Sequence, residues 1–233
     1  MTLFDSHAHC DDERFATEYE GGSDKMIRDC FDNGVSNIVN IGTCLENSRA
    51  SIELAHKYEG MYASCGIHPS DVLSYENVDD VILELEKLLS DEKAVALGEI
   101  GLDYHYENIP KEPQILYFEK QMELAKKLDI PVIIHDREAH GDCLEIIKKF
   151  PSVKGVFHSF SGSPEMATEL VKLGWYKKAF QVSETVLVYR HLLADLHDPR
   201  GSRGPCAPDH HGDHRQRQHL RFLDGGRSLR RRP

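Results

Sequence analysis

Residues 94–135 read AVALGEIGLDYHYENIPKEPQILYFEKQMELAKKLDIPVIIH, and this stretch contains a complete strand–helix–strand unit. The apolar runs at 94–103 and 131–135 are short and rich in Val, Ile or Leu, which is typical of buried parallel strands. Residues 112–128, between them, carry the amphipathic pattern of a helix. Two parallel strands joined by a helix are therefore predicted here.

The same unit recurs along the first three quarters of the chain. Six alternating units predict an α/β protein with a parallel sheet. At about 29 residues per unit, eight units need about 230 residues, the size of a (β/α)8 TIM barrel. An incomplete barrel with six legible units is thus the predicted fold, and a doubly wound sheet is the alternative. The other apolar runs lie at 3–9, 37–43, 61–68 and 155–160, and the other helical patterns at 24–33, 45–58, 78–89, 141–150 and 163–174.

Charge and residue type change abruptly near Tyr176. Residues 1–176 hold 16 basic and 33 acidic side chains, a net charge of −17, whereas residues 177–233 hold 12 basic and 6 acidic side chains, a net charge of +6. The second part lacks isoleucine and is rich in Arg, His, Gly and Pro. We predict a barrel domain over 1–176 and an atypical, irregular tail over 177–233, and we hypothesise that the tail comes from a shifted reading frame.

Composition argues against several classes of protein. Forty per cent of the 233 residues are apolar, which argues against a wholly disordered chain. No apolar run approaches the roughly 18 residues that cross a bilayer, and the N-terminus, MTLFDSHAHC, does not resemble a signal peptide. The six cysteines are scattered, so we expect reduced thiols in a cytoplasmic protein with no membrane or obligate protein partner. The net charge of −11 argues against broad binding of duplex DNA.

Polar side chains lie at the ends of four predicted strands. His7 and His9 alternate along the first strand, so both imidazoles face one point, as a metal site requires. Asp5 is a candidate to orient one of them. The corresponding residues at the ends of the later strands are Glu99, His135 and His158.

In a barrel all these side chains lie at the carboxyl-terminal rim, where active sites form. The alternative for each residue is an ordinary hydrogen-bonded structural role. Four histidines and one carboxylate exceed a single tetrahedral zinc site, and they suit two divalent ions (Zn, Mg or Mn) that share a bridging carboxylate. Paired ions of this kind bind and split phosphoesters.

Five stretches together carry a family resemblance, namely FDSHAH (4–9), GIHP (66–69), GEIGLDY (98–104), PVIIHDREA (131–139) and HSFSG (158–162). On these stretches the sequence closely resembles the TatD family of metal-dependent deoxyribonucleases, within the amidohydrolase-like TIM barrels, over residues 1 to about 176. The resemblance implies a (β/α)8 barrel that hydrolyses phosphodiesters of DNA, acting as an exonuclease on DNA ends or single strands.

The resemblance also implies which side chains hold the ions. One ion takes His7, His9 and Glu99, and the other takes Glu99, His135 and His158. Glu99 is therefore the bridging carboxylate in this assignment.

The resemblance further implies that His68 faces the substrate phosphate and that Arg137 assists it. A structural ion pair of Arg137 with Asp136 or Glu138 is the alternative. Glu99, His68 and Arg137 are thus the predicted catalytic residues.

One departure from the family pattern concerns the eighth strand. In the family this strand carries an Asp, usually in an ETD run followed by a small residue and Pro, which completes the first metal site and is the base for the attacking water. No such run exists here: Asp209, in GPCAPD, follows no predicted strand, and Asp195, Asp198 and Asp213 are no better placed. A hydrolase of small phosphoesters or amides, and a non-catalytic metal-binding remnant, therefore stay open as alternatives.

Overall fold

A computed structural model describes residues 3–106 and 108–175 of the chain. In these ranges six strands form one parallel sheet, and each strand pairs with the next strand along the chain. The strands are β1 (Leu3–Ala8), β2 (Val35–Ile41), β3 (Met61–Cys65), β4 (Ala94–Asp103), β5 (Val132–Arg137) and β6 (Gly155–Phe157).

Helices follow every strand of the sheet. The last of them begins as its sequence predicts, because the Ser163 hydroxyl accepts a hydrogen bond from the Met166 N–H at 3.2 Å and Pro164 occupies the first turn. The helices are α1 (Arg14–Glu18), α2 (Gly22–Asp32), α3 (Leu45–Lys57), a 3-10 helix (Pro69–Ser74), α4 (Val78–Leu88), α5 (Lys111–Leu128), α6 (His140–Lys148) and α7 (Pro164–Lys172).

Strand order and helix placement identify the fold as a barrel. In a doubly wound sheet the strand order reverses at a switch point and helices cover both faces. Here the order is sequential, and one large buried cluster joins all the long helices to one face of the sheet. The other face carries a smaller cluster that consists of strand residues alone, drawn from all six strands: Phe4, Val39, Ile41, Tyr62, Ala96, Ile133 and Val156. The described residues are therefore six consecutive units of a curled (β/α)8 barrel, as predicted.

Two short helices were not predicted, and one of them begins directly after His68. The third strand was expected to reach residue 68, but β3 ends at Cys65. Pro69 begins the 3-10 helix, and His68 caps its first turn by accepting a hydrogen bond from the Ser70 N–H at its Nδ1 atom, 3.1 Å away. The helix α1 has only five residues, which is too short to show a periodic apolar pattern.

The predicted tail over 177–233 lies outside the described residues, so the boundary at residue 176 stays a prediction. The same holds for the expected cytoplasmic location. In the two described ranges, none of the helices combines the length and the apolar character that crossing a bilayer demands.

Two leucines of α5 provide a test of the core. Leu124 is 3% exposed and lies in the large cluster, whereas Leu116, on the same helix, is 45% exposed. Leu124→Ala is expected to lower the free energy of unfolding by about 2–5 kcal/mol, because it removes buried methyl groups and leaves a cavity. Leu116→Ala is the matched control and should change it by no more than about 0.5 kcal/mol. Urea denaturation followed by circular dichroism measures both, and equal effects would contradict the assignment of α5 to the core.

Candidate metal centre

Six polar residues singled out in the sequence meet at the carboxyl end of the sheet. The strand ends bring them together because all six strands are parallel. At Gly101, β4 and β5 lie so close that a side chain would overlap the main-chain oxygen of His135. The φ angle of Gly101 is +139°, a value that favours glycine. The six residues are His7, His9, His68, Glu99, His135 and His158.

The buried carboxylate of Glu99 lies at the centre of this group, with 3% of the residue exposed. Its Oε2 atom is 3.4 Å from Nε2 of His7. Its Oε1 atom is 2.8 Å from Nδ1 of His135 and 3.4 Å from Nε2 of His158. The two oxygens therefore face different histidines, as a carboxylate shared between two ions would.

The imidazole rings form a continuous layer around this carboxylate. His7 and His158 stack in parallel with ring centroids 3.8 Å apart, and His7 and His9 meet edge to face at 5.2 Å. His135 lies 6.2 Å from His158 and 4.3 Å from His68. Every histidine named in the sequence thus contacts another histidine of the group.

Two sets of three ligand atoms lie within 4.8 Å of one another. The first set is His7, His9 and Glu99, the same three residues that the family resemblance implies for one ion. The second set is His68, Glu99 and His135, so that His68 stands where the sequence-based assignment has His158.

An unmet polar group indicates that these residues fit a cation. Nδ1 of His7 is buried and makes no hydrogen bond with any described residue, and Nε2, also buried, lies 3.4 Å from Glu99 without the geometry of a hydrogen bond. Buried polar atoms in folded proteins are almost always paired, and a neutral imidazole has a lone pair to offer. Imidazole nitrogens and one carboxylate form a donor set that suits zinc and related divalent ions.

Electrostatics give most of these groups the protonation state of metal ligands. Burial would raise the pKa of Glu99, but the neighbouring His158 and His7 and the hydrogen bond with His135 hold it well below its usual range. Burial lowers the pKa of His68 and His158, which favours the neutral form of each ring. Burial opposes the charged form of His135 as well, yet hydrogen bonds with two carboxylates raise its pKa to about 9.

The hydrogen bonds of His68 determine which of its nitrogens carries the proton. A main-chain N–H can only donate, so Nδ1 of His68 accepts from Ser70 and the neutral ring holds its proton at Nε2. The Ser70 hydroxyl lies 2.6 Å from the same nitrogen. His68 therefore offers an N–H donor at Nε2 rather than a lone pair.

Asp5 and Arg137 have partners within the protein that the sequence did not indicate. Asp5 accepts a hydrogen bond from the main-chain N–H of His7 at 3.0 Å, so it fixes the backbone of β1 instead of an imidazole. Arg137 donates to the Tyr106 hydroxyl at 3.3 Å and lies 5.2 Å from the centre of that ring. The carboxylates considered for an ion pair bond elsewhere at 2.8 Å, Asp136 to His140 and Glu138 to His105.

Asp103 was not singled out from the sequence, although it belongs to the GEIGLDY stretch. Its Oδ2 atom lies 3.0 Å from Nε2 of His135. The available signal was the strand periodicity, since Asp103 follows Glu99 by four residues and so shares its face of β4.

Buried amide side chains that hold the backbone near the centre were also not singled out from the sequence. Gln121 of α5 accepts from the Ile67 N–H at 2.8 Å and donates to the Ile67 oxygen at 3.1 Å, which fixes the residue before His68. Asn40 accepts from the Cys10 N–H at 2.6 Å and so holds the chain just after His9. Neither contact leaves a sequence signal, because each depends on which backbone groups the folded chain brings near.

The aspartates weighed for the eighth-strand position lie outside the described residues, so their roles stay untested. They are Asp195, Asp198, Asp209 and Asp213.

Comparison with known proteins identifies the family of this chain. A family model described as TatD related DNase matches residues 4–188. YabD of Bacillus subtilis, an uncharacterized metal-dependent hydrolase, is 36% identical over 176 residues, covering 75% of this chain and 67% of the relative. The 3'-5' ssDNA/RNA exonuclease TatD of Cronobacter sakazakii is 32% identical over 165 residues, covering 69% of this chain and 61% of that protein.

A solved structure has the same fold. The crystal structure of YjjV, a TatD homolog from Escherichia coli K12, matches with a TM-score of 0.65 and 32% identity, covering 74% of this chain and 65% of that chain. The chain thus spans between 61% and 67% of the length of these three proteins. The family match ends at residue 188, twelve residues beyond the predicted boundary at 176.

The Gln121 contacts can be tested through stability. Gln121→Leu keeps the side-chain size but leaves the Ile67 N–H and oxygen unpaired in a buried position, at about 1–3 kcal/mol for each group. We expect a loss of that order in the free energy of unfolding, measured by urea denaturation. Glu123→Leu, at an exposed position of the same helix, is the control and should stay within about 0.5 kcal/mol. If both variants unfold alike, Gln121 does not hold this segment.

Proposed function

The chain belongs to the TatD related DNase family, and on that premise we propose that it is a metal-dependent phosphodiesterase that removes nucleotides from DNA ends or single strands. The observation that carries the proposal is the Glu99 carboxylate, whose two oxygens face separate histidines. The exonuclease name of the Cronobacter relative supports a nucleic-acid substrate.

We assign two divalent ions (Zn, Mg or Mn) to the centre. His7, His9 and Glu99 would hold one ion, and Glu99, His135 and His158 would hold the other. Ions bound there supply Lewis-acid activation of water and offset the negative charge that develops on a phosphodiester. An imidazole-rich set favours zinc, while phosphoester chemistry also suits magnesium or manganese.

The choice of His158 over His68 for the second ion follows from hydrogen bonding. Nε2 of His158 faces the same Glu99 oxygen as His135 does, at 3.4 Å. The Nδ1 atom of His68 is engaged by the Ser70 N–H, so its other nitrogen carries a proton and has no lone pair for an ion.

His68 and Arg137 are assigned to the substrate phosphate. The neutral His68 ring donates an N–H, which suits a phosphate oxygen. The Tyr106 hydroxyl accepts a hydrogen bond from Arg137, and within the described residues no carboxylate forms an ion pair with this guanidinium. A planar guanidinium can bind two phosphate oxygens at once, so Arg137 orients the phosphodiester as well as neutralising it.

Nucleotide release from labelled single-stranded DNA tests the activity. With Mg²⁺ or Mn²⁺ the full chain is expected to shorten the strand stepwise, and EDTA should abolish the reaction. Glu99→Gln should lower the rate by about 100-fold or more, because it removes the shared carboxylate. Asp136→Asn is the matched control, since it neutralises a carboxylate that pairs with His140 and should leave the rate unchanged. A wild-type chain that binds ions but releases no nucleotides contradicts the proposed activity.

Zinc binding separates the roles of the two disputed histidines. His158→Ala should weaken one tight zinc equivalent by more than about 100-fold, because it removes a direct ligand. His68→Ala should keep both equivalents while slowing DNA hydrolysis. Competition with a chromophoric chelator measures the affinity, and the opposite pattern would assign the ligand role to His68.

A further inference from the structure

Asp103 ends β4 beside the metal centre, and its carboxylate is held on two sides. The residue is 3% exposed. Its Oδ2 atom lies 3.0 Å from Nε2 of His135, and its Oδ1 atom accepts from the His105 N–H at 3.0 Å. The Asp103 N–H donates to Oε1 of Gln114 at 2.8 Å, which fixes the backbone of the same residue.

The His135 ring therefore lies between two carboxylates, with one ring nitrogen facing each. Nδ1 of the ring faces Oε1 of Glu99 at 2.8 Å, while Nε2 faces Asp103. The two ring nitrogens of a histidine divide their roles, and the hydrogen bond made by one sets what the other can do. Carboxylates only accept hydrogen bonds, so without an ion both ring nitrogens donate, Nδ1 to Glu99 and Nε2 to Asp103. An ion bound beside Glu99 would displace the proton on Nδ1, and the hydrogen bond with Asp103 would keep the other proton on Nε2.

We infer that Asp103 is a positioning residue that fixes His135 in the orientation and tautomer that bind an ion through Nδ1. This inference rests on the proposed metal site and adds the residue that prepares one of its ligands. A carboxylate that holds the far nitrogen of a ligating histidine typically changes metal affinity by about 10- to 100-fold.

The hydrogen bond from His105 makes Asp103→Asn a discriminating substitution. A main-chain N–H must face an acceptor, so the amide oxygen of the new Asn would take the Oδ1 position. Its NH₂ group would then face Nε2 of His135 and donate to it. The proton of the neutral ring moves to Nδ1, and the lone pair that the ion needs is lost.

Asp103→Ala removes the partner without choosing a tautomer. Some rings then still present the lone pair at Nδ1, so this change should be the milder one. We expect zinc affinity to fall in the order wild type, Asp103→Ala, Asp103→Asn, with a loss of about 10- to 100-fold for Asn. A residue that only fills space would give the reverse order, because Asn matches the shape of Asp and Ala does not.

The experiment is a chelator-competition titration of the full chain with Zn²⁺. The histidines of residues 177–233 are the same in every variant, so differences between variants report on the centre alone. Thermal melting without metal checks that each variant is folded. Asp136→Asn, which neutralises a carboxylate paired with His140, is the matched control and should bind zinc as the wild type does.

The outcomes separate this inference from the proposed function. If the wild type takes up no zinc at this centre, and His135→Ala changes nothing, the proposed metal site is wrong. If His135→Ala weakens binding while Asp103→Asn binds as tightly as the wild type, the site stands and the positioning role of Asp103 is wrong.

Discussion

The burial of one negative charge, on Glu99, is the constraint on which the rim of the sheet depends. A carboxylate removed from water is costly unless it is paired and hydrogen-bonded. Glu99 lies on β4, with β3 and β5 on either side, and its own N–H donates to the Gly42 oxygen at 2.8 Å. The surrounding imidazoles hold the pKa of Glu99 well below its usual range against the effect of burial. The side chains that stabilise this charge are the same ones that would share it with cations.

Helix α5 holds two backbone segments beside this centre. Gln114 and Gln121 are both buried on α5, and they lie seven residues apart, which places them on one face two turns from each other. Gln114 holds the Asp103 N–H at the end of β4, and Gln121 holds Ile67 after β3. Packing of α5 against the sheet therefore sets the positions of two rim segments together. Displacement of that helix would move His68 and the partner of His135 at the same time.

The sequence was informative wherever structure depends on local periodicity. Short apolar runs alternating with helical patterns predict the six units and the barrel, because parallel strands and crossover helices impose distinct spacings. The same alternation predicts that His7, His9 and Glu99 meet. It could not supply the hydrogen bonds of Gln121 and Asn40, since these join segments that only the folded chain brings together. The sequence also did not predict the 3-10 helix that begins at Pro69. The tautomer of His68 could not be predicted either, because it depends on the hydrogen bond with Ser70 in that helix.

The net charge of residues 1–176 limits how this centre would bind DNA. Residues 1–176 carry a net charge of −17, which opposes the broad electrostatic attraction that duplex-binding proteins use. At physiological ionic strength fields between exposed charges decay over about 8 Å, so repulsion from distant carboxylates is screened while contacts at the rim are not. If the centre acts on DNA as proposed, a few local groups would supply the binding, namely Arg137, the N–H donor on His68 and bound cations. Such a site would contact one or two phosphates at a time, which suits the end of a strand better than the length of a duplex.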